Sequence, residues 1–298
     1  MNQAKIWISA FRLRTLPLAL ASIGMGSFLA ASNNKFRFDI LIWASVTTIF
    51  LQIFSNLAND YGDTQNGADS DLRQGPQRAV QSGEISVSTM KSAMLILGVL
   101  SFLSGLMLLN ISVGLGSTTF YVFLGLGIAS IAAAYTYTAG NNPYGYAGLG
   151  DLSVLLFFGF LAVLGTYFLF SLEFNAKNIL PALSMGLFAT AVLNVNNIRD
   201  IESDRVAGKK SIAMRLGHKK AVIYHILLLS VGYLSSIIYI SFLPFTFNRL
   251  VVLLALVPLV INARAIIKKK EPKELDPYLK QMAIASLLFM FFFGFSIL

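Results

Sequence analysis

Nine apolar stretches, each close to twenty residues long, restrict this chain more than any other feature. They run near 16–32, 39–59, 90–110, 118–138, 151–171, 180–198, 221–243, 248–267 and 281–298. A bilayer core of roughly 30 Å takes about 20 apolar residues in helix. Inside lipid every backbone polar group needs a partner, and a helix supplies one within its own segment. The pattern therefore predicts an all-α, polytopic transmembrane bundle of about nine helices. Charged residues make up 12% of the chain, about half of the ~25% usual in a soluble domain. No linker, low-complexity tract or water-soluble domain interrupts the series, so residues 1–298 read as one integral-membrane domain. Lys5, Arg12 and Arg14 precede the first stretch as in a signal peptide. That stretch is long enough to span, and Ala30-Ala31-Ser32 makes a poor cleavage site, so it reads as a retained first helix.

The net charge of +9 suggests nucleic acid only until its distribution is considered. With nine spans and a cytoplasmic N-terminus, 19 of the 23 basic residues fall on the cytoplasmic side, leaving Lys35, Arg37, Lys177 and Arg249 outside. This is the positive-inside pattern, and it sets an orientation rather than a nucleic-acid partner. The chain is thus expected in the cytoplasmic (inner) membrane, with the lipid bilayer as its surroundings and no nucleic acid as a partner.

Two connections, roughly 60–89 and roughly 199–220, hold 8 of the 14 acidic residues. On the predicted topology both face the cytoplasm. The first begins Asn56-Leu57-Ala58-Asn59-Asp60-Tyr61-Gly62-Asp63 and continues to Gly67 and Asp69; the second runs Asn196-Asn197-Ile198-Arg199-Asp200, then Asp204, Gly208 and Lys209. Two solvated loops account for acids one loop at a time, but paired clusters at the ends of apolar spans are a functional-site hypothesis. If the second helix continues past Asn59, Asp60 and Asp63 share a face at i and i+3. If the sixth continues likewise, Asp200 and Asp204 share one at i and i+4.

There are no cysteines and only two histidines, His218 and His225. A cation here takes oxygen ligands, which favours Mg²⁺, with Mn²⁺ as an alternative. Arg73 and Arg78 flank Gly75-Pro76, while Lys209, Lys210 and Arg215 follow Gly208. Arg binds phosphate as a fork and Lys as a point charge, and the turn residues hold Arg78 and Lys209 near the acids. Together these features point to a cation and a diphosphate at the bilayer surface. Asn56, Asn59 and Asn197 either support that cluster or join helices. Tyr61, Tyr135, Tyr137, Tyr144 and Tyr146 either line its mouth or anchor at the interface. Asp151 reads as a helix N-cap. The tracts Phe157-Phe158 and Phe289 to Phe293 are expected to face lipid, though some of their rings suit the wall of an isoprenoid channel.

These residues resemble the UbiA superfamily of membrane aromatic prenyltransferases, whose two aspartate motifs follow the second and sixth of nine helices. Arg12-Leu13-Arg14-Thr15-Leu16-Pro17 is similar to the N-terminal motif of its menaquinone-pathway branch. So are the run from Asn59 to Arg78, Tyr144-Gly145-Tyr146 with Gly148-Leu149-Gly150-Asp151, the run from Asn197 to Lys209, and Arg215-Leu216-Gly217. The resemblance implies transfer of a polyprenyl group from polyprenyl diphosphate to 1,4-dihydroxy-2-naphthoate, with loss of CO₂ and diphosphate, giving demethylmenaquinone. It implies that Asp60, Asp63, Asp200 and Asp204 are catalytic and, with Asp69 supporting, hold Mg²⁺. Asn56, Asn59, Arg73, Arg78, Asn197 and Lys209 are expected around the diphosphate. One stretch departs from the family: Tyr137-Thr138-Ala139-Gly140 leads into Asn141-Asn142-Pro143 where Gly-Pro is frequent. This break also lacks the basic residues of the 4-hydroxybenzoate branch, which favours a naphthoate acceptor. The alternatives are a sibling enzyme using homogentisate or 4-hydroxybenzoate, and a cation-coupled transporter, which would set its acids nearer the midplane.

Overall fold

A computed structural model describes residues 3–67 and 77–298. Among these the chain is helical, without strands, and nine stretches are long and apolar enough to cross a bilayer. They are α1 (Gln3–Ser32), α2 (Phe38–Gln65), α3 (Val87–Val113), α4 (Thr118–Thr136), α5 (Gly150–Ser171), α6 (Ala176–Arg199), α7 (Ile212–Ser241), α8 (Phe247–Lys268) and α9 (Pro272–Ile297). Local sequence explains where several begin. Ser86, Ser117 and Ser211 each accept a hydrogen bond from a first-turn N–H of the helix that follows, which satisfies one of the four donors a helix leaves open. α1 is broken at Arg12, which sits in the left-handed region (φ 48, ψ 52). Pro17 then lies in the first turn of the segment Leu16–Ser32, where its missing N–H does no harm.

α1 packs on α2, α5, α6 and α9; α2 packs also on α3 and α4, and α6 on α5, α7 and α9. Small residues let the backbones close in. A Cβ added at Gly159 of α5 would lie 2.7 Å from the Ala182 carbonyl and 2.8 Å from Gly186 Cα of α6. Lipid is as apolar as the helix surfaces, so such close packing is what holds spans together. α5 is also π-helical from Leu155 to Leu164, a rare winding in which the backbone bonds reach one residue further than in an α-helix.

The Phe289 to Phe293 tract does not simply face lipid. Phe289 and Phe293 are fully buried, Phe289 meeting Phe188 edge-on with centroids 4.7 Å apart, while Phe291 stays exposed. Spacing at i and i+4 carries one face of α9 into the core. The helices also outrun the apolar windows. α2 runs on to Gln65 and α7 begins at Ile212, because their polar ends remain helical beyond the apolar stretch.

Candidate active site

The extension of α2 past Asn59 carries the first aspartates inward. Asp60 and Asp63 are each 2% exposed, and buried carboxylates need partners. Asp60 accepts the backbone N–H groups of Ala79 and Val80 at 3.3 and 3.4 Å. Asp63 accepts the Tyr146 hydroxyl at 2.8 Å and pairs with Arg78. Arg78 also donates to the Asn59 carbonyl, so it closes over the end of the helix. Thr138 reaches in from beyond α4 and donates to the Asn59 side chain (3.0 Å) and the Ala58 carbonyl (3.1 Å). A Cβ on Gly62 would come within 2.4 Å of the Thr138 backbone, so only glycine lets α2 touch this turn. Asn56 is directed elsewhere. Its amide donates to Phe11 O and Thr15 Oγ1 of α1, and its oxygen accepts from Gln52. Asp69 and Arg73 lie outside the described residues.

The second stretch is built differently from its expected form. α6 ends at Arg199, Asp200 caps it, and a new short helix runs from Ile201 to Val206. Asp200 and Asp204 therefore do not continue one helical face, although Asp204 N–H still donates to Asp200 O at 2.8 Å. Their side chains meet different partners. Arg199 grips both oxygens of Asp200, from Nε at 2.8 Å and Nη2 at 2.7 Å. Asp204 accepts Ser211 Oγ at 2.8 Å and faces Lys209 Nζ at 3.8 Å. Burial holds the Asp204 carboxyl above the ordinary aspartate range; Lys209 and Ser211 pull it down, while the charges of Asp200 and Asp63 push it up. Acids from both stretches thus feel one another. Asn197 is buried on α6.

The loop between α4 and α5 bridges the two. Tyr146 holds Asp63 through its hydroxyl, lies under Lys209 Nζ (5.6 Å to the ring centroid), and accepts Lys210 N–H at its carbonyl (2.9 Å). Arg215 donates to Ala147 O at 2.8 Å, and Gly148, with φ +90, sits against the Lys210 carbonyl. Beside this bridge opens a cavity of about 390 Å³ between α1, α2, α3, α4 and α5. Asn56, Asn59, Tyr137, Tyr144 and Ser153 line it, and most of the remaining wall is apolar, including Phe157 and Phe158. Tyr144 and Ser153 share a hydrogen bond of 3.0 Å. Burial raises the pKa of both Tyr137 and Tyr144, and nearby Asp151 and Asp63 raise Tyr137 further, so both stay protonated hydroxyls. Asp151 is not an N-cap: it accepts the Tyr224 hydroxyl of α7 at 2.9 Å.

The donor chemistry suits a hard cation. Among the described residues no three acidic or histidine side chains converge as a ready cage. His225 is buried on α7 against Asn262 of α8, and the aspartates of the two stretches supply oxygen. Mg²⁺ needs only one or two protein carboxylates, with water and phosphate completing its shell. Asp63 and Asp204 fit that need, each now facing a cation that a diphosphate would attract. Ser211 and Thr138 carried no warning in the sequence, because a lone hydroxyl has no signature until its partner is in place. Tyr146 was a candidate for the mouth of the site, but its bond to Asp63 had no signature in the sequence.

A sequence model described as the UbiA prenyltransferase family matches residues 19–293. The chain belongs to this family. It is 45% identical over 299 residues to 1,4-dihydroxy-2-naphthoate octaprenyltransferase of Haemophilus influenzae, covering 100% of this chain and 97% of that one. The Escherichia coli protein of the same name is 42% identical over 288 residues, 97% of this chain and 93% of its own. A solved UbiA homolog from Archaeoglobus fulgidus, bound to DMAPP and Mg²⁺, matches with a TM-score of 0.69 over 98% of both chains. At 18% identity that likeness carries the fold alone. Within the UbiA-family fold, the loop between α4 and α5 joins the two aspartate stretches beside the cavity.

Proposed function

We propose that this chain transfers a polyprenyl group from polyprenyl diphosphate to 1,4-dihydroxy-2-naphthoate. One observation carries the site assignment: Asp63 and Asp204, from the two aspartate stretches, are joined through Tyr146 and Lys209 beside the polar end of an apolar cavity. The full-length likeness to chains named for this reaction supports the substrates.

On this reading Asp60, Asp63, Asp200 and Asp204, with Asp69 in support, hold Mg²⁺. When bound, Mg²⁺ supplies positive charge to a diphosphate that must leave as an anion. Arg78 and Lys209 move their charge from Asp63 and Asp204 onto the diphosphate oxygens. Such fixed cations act where charge develops, in a site with little water. Asn59, Asn197 and Arg73 complete the diphosphate end. The allylic carbon–oxygen bond breaks and its electron pair leaves with diphosphate. The electron-rich ring carbon bearing the carboxylate forms the new carbon–carbon bond, and loss of CO₂ returns an electron pair to the ring. Prenyl replaces carboxylate with no change in oxidation level, so the immediate product is the hydroquinone of demethylmenaquinone. The quinone follows only from a separate two-electron oxidation. The Tyr144–Ser153 hydroxyl pair and Tyr137 are the polar groups an acceptor meets at the cavity mouth. The aspartate face is assigned to the cytoplasmic side of the inner membrane on the distribution of basic residues.

The test is purified protein with Mg²⁺, labelled polyprenyl diphosphate, and naphthoate, homogentisate or 4-hydroxybenzoate in turn. Diphosphate and CO₂ are released together only with the naphthoate. No diphosphate release with any acceptor, and Asp60→Ala and Asp200→Ala indistinguishable from wild type, would sink the reading.

A further inference from the structure

Arg199 has a second anionic partner that the proposed reaction does not use. While Nε and Nη2 hold Asp200, Nη1 donates to Asp276 Oδ1 at 2.6 Å, and Nη2 also reaches Asn196 Oδ1 at 2.7 Å. Asp276, near the start of α9, is in turn held by Arg14 Nη1 at 3.0 Å on its other oxygen. The order Asp200, Arg199, Asp276, Arg14 alternates in sign and links α6, α9 and α1. The next residue, Thr15, accepts hydrogen bonds from Gln52 and Asn56 of α2. The Arg12–Thr15 turn therefore contacts α2 directly, through the amides of Gln52 and Asn56, and reaches Arg199 of α6 only through Asp276 of α9.

From this arrangement we infer that Asp276 is a positioning residue for the diphosphate end: it shares Arg199, fixing Asp200 in place while keeping it an effective anion. A guanidinium buried to 1% exposure with one carboxylate makes a closed, neutral pair. With Asp276 on the same guanidinium, Arg199 is shared between two carboxylates, and Asp200 keeps more of its own negative charge to attract a cation. Arg14 and Asp276 are 30% and 31% exposed and pair at the solvent edge, whereas Arg199, 1% exposed, is held between both carboxylates. Outer partners of this kind orient and tune the carboxylates they touch.

The inference rests on the function proposed above, and its test reads binding. Mn²⁺ is titrated into the purified protein with geranyl S-thiolodiphosphate, an uncleavable donor analogue, and bound Mn²⁺ is followed by electron paramagnetic resonance. Asp276→Asn leaves Arg199 wholly to Asp200 and weakens Mn²⁺ binding about 10- to 100-fold, the usual range for an outer partner. Asp276→Glu restores it. Arg14→Gln, which frees Asp276 to draw harder on Arg199, binds Mn²⁺ no more weakly than wild type. A purely structural role predicts that both neutral variants weaken together. Unchanged binding in Asp276→Asn, or an equal loss in Arg14→Gln, overturns the inference alone. If Asp276→Asn fails to fold, Arg14→Gln decides, a tenfold loss overturning the inference. Absence of Mn²⁺ binding by wild type overturns the functional reading and this inference with it.

Discussion

Tyr146 shows how one side chain acquires a role that its type does not announce. It holds Asp63 from 83 positions away in the chain and lies under Lys209. Tyr146→Phe keeps the ring beneath Lys209 and removes only the hydroxyl. Steady-state kinetics with varied prenyl diphosphate should show kcat/KM for the donor down about 10- to 100-fold, with the KM for naphthoate unchanged. The aspartates themselves were legible in the sequence, since a carboxylate beside an apolar span is costly to keep unless it binds something. Their partners were not. Ser211, Thr138 and Asp276 sit in unremarkable local sequence, and the Arg199–Asp276 contact joins residues 77 positions apart. Asn56 lines the cavity while its side chain also bonds to Phe11, Thr15 and Gln52.

At the scale of elements, apolar length marked all nine spans and set the ends of α5 and α8 to within a residue, but missed the polar extensions of α2 and α7. Hydropathy registers where lipid stops, whereas a helix stops where its backbone bonds or caps do. α7 thus begins at Ile212 among Arg215, His218 and Lys219, capped by Ser211 and bent at Gly217. Asp200 illustrates the opposite case, a helix that ends sooner than a continuous motif suggests. Packing between elements was equally hidden, because α5–α6 contact depends on two glycines that face one another. Gly159→Val forces a branched side chain into the Ala182 carbonyl and Gly186, and overpacking of this sort costs about 1–3 kcal/mol. Gly125→Ala, on α4 with nothing within 4 Å of the added carbon, should unfold at or above the wild-type temperature, because alanine favours helix over glycine. Thermal unfolding in detergent compares the two.

For the whole molecule, the even series of spans places the α2–α3 and α6–α7 connections on one face. The basic residues then predict which compartment that face meets. The chain has no cysteine, so single substitutions report position without background. In oriented membrane vesicles, a thiol reagent that cannot cross lipid should label Glu202→Cys from the cytoplasmic side and Lys177→Cys from the opposite side. The reverse pattern would invert the assigned topology. Both parent residues are exposed, so access is limited by the bilayer alone. The bond between Lys210 N–H and Tyr146 O matters differently from every side-chain contact around it. It is made of peptide, so any residue except proline supplies it at position 210, and any residue at all supplies the oxygen at 146. Drift in these two loops can therefore rewrite their side-chain chemistry while the stitch between them persists.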